Sequence, residues 1–387
     1  MRMKYYRKKK LKMNIKSNFL ILSLLCFGVA CTSTNTDEKE WAMLGFEKMD
    51  DINPILKPSK KLIFTDPITN QEVLWEERNV LNPTALVKDD KVHMLYRAQD
   101  VNGTSRIGLA ISEDGLHFTK MPNPIFYPQQ DDMKTLEWNY QKSDNEVLSK
   151  DKTLFDGAED PRIVEDENGV YFMTYTAYDG KTARLCIASS KDLTNWTKHG
   201  LVLGGEKYKD QWSKAGAIVV EQKGDKMIAK RINGKYWMYF GDTNLFMASS
   251  EDLIHWNVLE DGESGQMISV LHPRKGFFDS RLVESGPYAL YTEEGILMIY
   301  NSSNAANYND AALPKFTYAA SQVLFNKSAP YKQIDRLKGH FIHPDKDYEK
   351  EGEVNEVCFV EGLVHFKNKW FLYYGTADSK IAVAVRK

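Results

Sequence analysis

Cysteine is scarce in this chain, with four residues among 387: Cys26, Cys31, Cys186 and Cys358. The last two sit in apolar runs, Leu185-Cys186-Ile187 and Val357-Cys358-Phe359. Two such cysteines make no disulfide framework, and buried free thiols are expected. No Cys/His grouping has zinc spacing, so neither a structural metal nor a cofactor is expected. Charge of one sign is also lacking: 51 basic and 53 acidic residues give a formal net charge of −2. Nothing therefore points to nucleic acid or an acidic polymer as partner. A G-x-S-x-G elbow, a phosphate-cradling glycine-rich loop and an H-E-x-x-H helix are all missing, which removes the commonest serine-hydrolase, nucleotide and zinc-protease readings. What is plentiful is aromatic: 20 Tyr, 18 Phe and 8 Trp. Tyr and Trp favour strands and make platforms for sugar rings.

The N-terminus reads as an export signal. Arg2, Lys4, Arg7, Lys8, Lys9, Lys10, Lys12 and Lys16 precede the apolar run from Phe19 to Ala30. That run is too short to span a bilayer, which takes roughly 20 residues. It ends in Gly28-Val29-Ala30-Cys31, which resembles a bacterial lipobox, with Gly28 where Leu is usual. The reading is a signal peptide over residues 1–31 with lipidation at Cys31, a polar tether over 32–40, and one domain over 41–387. The protein is then exported and held by lipid in the bacterial cell envelope, in the periplasm or at the outer membrane. The long basic region leaves Met3 and Met13 as alternative starts.

The domain carries a repeat. An apolar strand with an aromatic residue near its end recurs at Tyr96, Tyr175, Phe240, Tyr300 and Tyr374, at intervals of 60 to 79 residues. A second strand follows, in three copies leading to an acid and then an aromatic four residues later: Asp114 and Phe118, Asp192 and Trp196, Asp252 and Trp256. These turn acids recur with the unit, so they read as structural; Asp bonds nearby backbone N–H groups in turns. Short hairpins cannot bury two faces alone and must stack on neighbours. Five long units with little helical periodicity predict an all-β fold, a five-bladed β-propeller. A β-sandwich or solenoid is the plainer alternative.

Polar residues near the inner strands of such a fold converge on a central channel. The candidates are Asn82, Arg97, Asp100, Asp160, Arg162, Lys214, Asp242, Arg281, Glu284, Glu361 and Asp378. Several are acids in apolar or Gly/Pro-rich settings, where burial demands a partner or a shifted pKa. Glycoside cleavage needs two such carboxyl groups, one to donate a proton and one to activate or be the nucleophile. Each has a structural alternative: Asp160 as a turn cap, Glu284 as a partner of Arg281, Asp242 as a strand cap, Arg97 in an ion pair between units.

Taken in order, Asn82-Pro83, Tyr96-Arg97-Ala98, Ser105 to Ala110, Glu159-Asp160-Pro161-Arg162-Ile163, Ser189 to Leu193 with Trp196, and Tyr373 to Asp378 resemble glycoside hydrolase family 130. The resemblance implies a five-bladed propeller acting on β-mannosides, as an inverting phosphorylase or a hydrolase of β-1,2-mannosides. It implies that Asp160 is the general acid, directly or through a sugar hydroxyl, and that Asn82, Arg97 and Asp378 hold the mannose at the cleavage point. Phosphorylases often carry a Tyr-His-Gly step on the fourth inner strand; here it reads Tyr300-Asn301-Ser302, and Val283-Glu284-Ser285 replaces a small-residue stretch. A carboxylate there repels phosphate and suits activation of water.

The expectation is thus an exo-acting, inverting β-mannosidase in which Asp160 protonates the leaving oxygen and Glu284, with Asp242, activates water. Direct proton transfer predicts carboxyl groups roughly 6.5–9.5 Å apart. A β-mannoside phosphorylase releasing mannose 1-phosphate is the first rival. A non-catalytic glycan-binding lipoprotein is the second.

Overall fold

A computed structural model of the chain describes residues 39–143 and 153–387. The expected export signal and the lipidation site at Cys31 lie outside the described residues. No helix among the described residues is long and apolar enough to cross a membrane. The fold is all-β, with helix reduced to single turns at Lys134–Glu137, Tyr140–Ser143 and Asp347–Lys350.

Among the described residues, five antiparallel units of four strands follow one another. The first runs Asn79–Lys88, Lys91–Gln99, Thr104–Ser112 and Thr119–Lys120. The second runs Asp156–Glu165, Tyr171–Tyr178, Ala183–Ser190 and Trp196–Leu201. The third uses Ala217–Lys223, Tyr236–Phe240, Phe246–Ser250 and Trp256–Val258. In the fourth, the first strand is broken into Leu282–Ser285 and Ala289–Tyr291, followed by Ile296–Ser303, Tyr318–Phe325 and Gln333–Arg336. The fifth takes Cys358–Phe366, Lys369–Thr376 and Lys380–Arg386 from the C-terminus. Its fourth strand, Glu47–Lys48, comes from the far end of the chain and pairs Glu47 with Val385.

Apolar side chains on both faces of these strands pack neighbouring units together. Trp75, Tyr96, Phe371 and Tyr373 share a cluster between the first and fifth units. Leu95, Ile107, Tyr175 and Cys186 do so between the first and second, and Tyr239, Met247, Met298 and Val323 between the third and fourth. Cys186 and Cys358 are free and buried.

The aromatic-marked strands are the second of each unit, not the first. The strand before each was hard to see in sequence because it is interrupted. A register shift falls between Leu81 and Pro83, between Glu159 and Arg162, and between Val360 and Gly362. These are β-bulges, which re-aim side chains. The turn acids do what their periodicity implied. Asp114 Oδ1 accepts the N–H groups of Leu116 and His117, both at 2.8 Å, and Asp192 and Asp252 repeat the pattern. The aromatic four residues on packs under that turn: Trp196 and Trp256 Nε1 donate to Leu193 O and Leu253 O at 3.0 and 3.1 Å.

A second repeat lies deeper. In four units the marker tyrosine donates its hydroxyl to a buried carboxylate supplied by the segment entering that unit. The pairs are Tyr96–Glu76 (2.8 Å), Tyr175–Glu137 (2.8 Å), Tyr300–Asp279 (2.9 Å) and Tyr374–Glu349 (2.8 Å). Each carboxylate also meets a cation on the unit's fourth strand: Lys120, Lys198, Arg336 and Lys48 in turn. Lys48 thereby ties the N-terminal strand to the C-terminal unit. The third unit has Phe240 at the marker position, with no hydroxyl to donate; it packs on Phe246 at 5.9 Å.

Candidate active site

The bulges of the first strands aim polar side chains at one place. Asn82, and Asp160 together with Pro161, are the out-of-register residues of their strands, and Asn82 and Asp160 adopt left-handed backbone, with φ of 46° and 50°. Pro161 disfavours helical backbone at Asp160, and the bulge takes that residue to positive φ. Non-glycine residues with positive φ are uncommon and cluster where the surroundings over-determine them. Asp378, with φ of 49°, is a third. Gly375 makes room for this arrangement, since a Cβ there would lie 2.9 Å from Asn82 Oδ1.

Asp160 is 2% exposed and sits among donors. Asn82 Nδ2 donates to its Oδ1 at 2.8 Å, and Arg97 Nη1 is 3.1 Å from the same oxygen. Lys214 Nζ lies 3.6 Å from Asp160 Oδ2 and 3.1 Å from Glu284 Oε1. Arg97 also pairs with Glu159, and Ser105 Oγ donates to Glu159 Oε1 at 3.0 Å. Behind them Arg162 Nε donates to Gly286 O and its Nη2 to Ser285 O, both at 2.7 Å; that Nη2 is 2.8 Å from Glu361 Oε1. This last contact is an ion pair without hydrogen-bond alignment, so both Glu361 oxygens lack a hydrogen-bond partner within the protein. Glu284 Oε1 is in the same position despite its ion pair with Lys214.

The distances around Lys214 (3.6 and 3.1 Å) place the nearer oxygens of Asp160 and Glu284 no more than about 6.7 Å apart. That bound covers the roughly 5 Å of retaining glycosidases and reaches the lower edge of the inverting range.

Burial sets proton affinities here, and the ion pairs modify them. Burial raises Glu284 to about 7, against the pull of Lys214 and Arg162 and with help from Asp242 and Asp160. Glu159 is likewise raised to about 7 by burial, opposed by Arg97. Burial takes Asp378 to about 6, and it pushes Glu361 well above the carboxylate range. Asp160 goes the other way: burial alone would raise it, but Arg97, Lys214 and the Asn82 hydrogen bond hold it below its usual value. The expected division of labour, Asp160 as proton donor and Glu284 as base, is therefore the reverse of their affinities in the protein without sugar.

The structure brings together Asn82, Arg97, Asp160, Lys214, Glu284 and Asp378, with Arg162 and Glu361 buried directly behind. Glu284 takes Lys214 as its partner rather than Arg281. Asp242 stands at the rim, accepting from Trp212 Nε1 at 2.8 Å. Two candidates lie elsewhere. Asp100 Oδ2 accepts from Arg106 Nη1 at 2.8 Å, in a buried group completed by Asp66. Arg281 is exposed and touches none of the cluster, its guanidinium 5.2 Å over the Phe316 ring, although its charge reaches the Tyr318 hydroxyl together with those of Glu284, Lys214 and Asp378.

A cavity of about 380 Å³ opens beside the cluster, lined by Arg97, Glu159, Lys214 and Asp378 together with Tyr178 and Trp212. Sequence reasoning missed Glu159, Tyr178 and Trp212. Glu159 adjoins Asp160, and a regular strand would point the two to opposite faces; the bulge turns both toward Arg97. Trp212, in Lys209-Asp210-Gln211-Trp212-Ser213, carries one usable signal: a large aromatic residue in a polar connection with no apolar alternation around it.

Buried carboxyl groups with divided proton affinities, arginines and a lysine among them, and aromatic rings beside a cavity define a carbohydrate-active site on an all-β scaffold. The chain belongs to glycoside hydrolase family 130, an enzyme family acting on mannosides: the family profile described as beta-1,4-mannooligosaccharide phosphorylase matches residues 47–387. The 1,2-beta-oligomannan phosphorylase of Thermoanaerobacter sp. (strain X514) is 28% identical over 322 residues, 80% of this chain and 90% of that protein. A glycosyl hydrolase structure from Bacteroides ovatus is 39% identical with a TM-score of 0.84, covering 90% of this chain and 95% of that one. Equal values, 39% and 0.84 over 90% and 95%, hold for a structure reported with the statement that this family of mannoside phosphorylases contains glycoside hydrolases that target beta-1,2 mannosidic linkages in Candida mannan.

Proposed function

We propose that the protein is an inverting, exo-acting hydrolase of β-mannosides, with water rather than phosphate as the acceptor. The observation that carries this reading is the partnership of Lys214 with Glu284 at 3.1 Å. A phosphorylase needs cations free to meet a dianion. Here Arg97 is committed to Glu159 and Asp160, Arg162 to Glu361, and Lys214 to Glu284 and Asp160. A phosphate entering about 4 Å from one uncompensated carboxylate meets a repulsion of roughly 4 kcal/mol per charge pair at an effective dielectric of 20. A water molecule meets none of it and gains an acceptor for its proton.

In this reading five four-stranded units, packed each on the next and closed by Glu47–Lys48 on the last, form a five-bladed propeller. Their bulged first strands line its channel. Asn82, Arg97 and Asp378 hold the sugar. Asp160 supplies the proton to the leaving oxygen, and Glu284 removes one from water. Hydroxyls of a bound mannose accept from Arg97 and Lys214, which loosens their hold on Asp160 and lets it carry a proton. The divided proton affinities support a second assignment, with Glu284 as donor and Asp160 as base. Lipidation at Cys31 and export to the cell envelope agree with hydrolysis, since phosphorolysis is useful where phosphate and sugar phosphates are metabolised.

The second function is phosphorolysis, supported by the likeness to the Thermoanaerobacter 1,2-beta-oligomannan phosphorylase. Incubation with β-1,2-mannobiose and β-1,4-mannobiose, with and without inorganic phosphate, separates the two. Mannose alone is expected under both conditions, and mannose 1-phosphate would overturn the hydrolase reading. The pH profile assigns the roles. With Glu284 as base, kcat/KM rises with pH through about 7, because the ionised form is required; with Glu284 as donor it falls through the same value.

A further inference from the structure

We propose that Trp212 determines specificity for the leaving sugar: its ring is the platform on which the second saccharide stacks, and its indole N–H fixes Asp242 at the rim. This rests on the reading of the site as a glycoside-cleaving centre. Of the eight tryptophans, all within the described residues, Trp212 alone is exposed, at 49%. A single exposed aromatic needs no explanation by itself. This one lines the catalytic cavity, and it is held still.

The backbone is fastened on both sides of it. Arg184 Nε donates to Lys209 O at 3.0 Å and its Nη2 pairs with Asp210 at 3.2 Å; Ser213 N donates to Ala183 O at 3.0 Å. The ring is fixed edge-on to Tyr178, with centroids 6.3 Å apart at 69°. Its polar handle reaches Asp242 Oδ2 at 2.8 Å. None of these contacts covers the ring as core packing does. A rigid aromatic with one polar end bound and its body left open costs little further ordering when a ligand arrives. Asp242 in turn acts on Glu284 and its partner cation, its charge adding to the field at both Lys214 and Glu284. Trp212 thus touches the leaving sugar with its ring and positions a carboxylate with its N–H.

The two roles separate by experiment. Calorimetry on Glu284→Gln protein, which is expected to bind ligand with turnover slowed, compares mannose with β-1,2-mannobiose. Adding Trp212→Ala is expected to weaken mannobiose about tenfold and mannose less than about twofold. Trp212→Phe keeps the ring and loses the donor. It is expected to bind mannobiose within about threefold of its parent while, in the otherwise unaltered enzyme, lowering kcat about tenfold with KM little changed. The platform is overturned if mannobiose binds no tighter than mannose before the substitution, or if Trp212→Ala weakens both sugars alike. An unchanged kcat in Trp212→Phe removes the positioning role. If mannobiose binds and Trp212→Ala weakens it, yet no product forms, the cleavage reading falls and the platform stands.

Discussion

The buried carboxylates of this protein fall into two sets that differ in how they are satisfied. The outer set, Glu76, Glu137, Asp279 and Glu349, repeats with the units: each takes one tyrosine hydroxyl and a cation from its unit's fourth strand, and Asp279 takes Arg274 as well. The inner set, Glu159, Asp160, Glu284, Glu361 and Asp378, gathers from three different units and shares Arg97, Arg162 and Lys214. Acids outnumber bases there, Glu284 and Glu361 keep oxygens with no hydrogen-bond partner in the protein, and two of the backbones have positive φ. Buried charge is tolerated in the outer set because it is paired and hydrogen-bonded. In the inner set it persists without full compensation, as expected where selection acts on chemistry rather than stability.

Removing a carboxylate from each set sharpens the contrast. Glu284→Gln is expected to lower kcat/KM on β-mannobiose by about 10²- to 10⁴-fold, the usual scale for a lost general acid or base; steady-state kinetics reads this out. Glu349→Ala takes the acceptor from the Tyr374 hydroxyl and from the Asp345 and Lys346 N–H groups and leaves Lys48 with Asp345 as its only carboxylate, and should cost about 3–5 kcal/mol in urea unfolding while leaving turnover per folded molecule nearly intact. If Glu349→Ala instead lost activity without losing stability, the two sets would not be distinct. The third unit offers a reverse test: Phe240→Tyr buries a hydroxyl where no carboxylate awaits it, at roughly 1–3 kcal/mol. Smallest is Tyr96→Phe, which leaves Glu76 paired with Lys120 and should cost about 1 kcal/mol.

The sequence made some of this visible and hid the rest for identifiable reasons. The marker aromatics and the turn acids stood out because they recur on regular strands and turns, where side-chain direction follows from position. Asp160, Arg97 and Asn82 were picked out by their Pro-flanked or apolar settings, and they do meet. Glu159 was passed over because a bulge, not the strand period, sets where it points. Asp100 was misplaced for a related reason: it closes the turn after its strand and is drawn to Arg106. The outer carboxylates left no local trace at all. Their tyrosine partners lie 20 to 38 residues away along the chain, and the cation sits on fourth strands as short as two residues.

Within the two sets, Glu284 and Glu349 differ in the sign of one expected stability change. Glu284 ionises near 7 in the folded chain and near 4.5 as an ordinary glutamate. Below about pH 4.5 it is protonated in both states; between there and about 7 the unfolded chain releases its proton first, so the folded state loses stability as pH rises. Thermal unfolding of Glu284→Gln beside the parent protein at pH 8 and pH 4.5 reads this directly. The account predicts a higher Tm for the variant at pH 8 and convergence of the two at pH 4.5. A variant that melts below its parent at pH 8, as Glu349→Ala should, would contradict it.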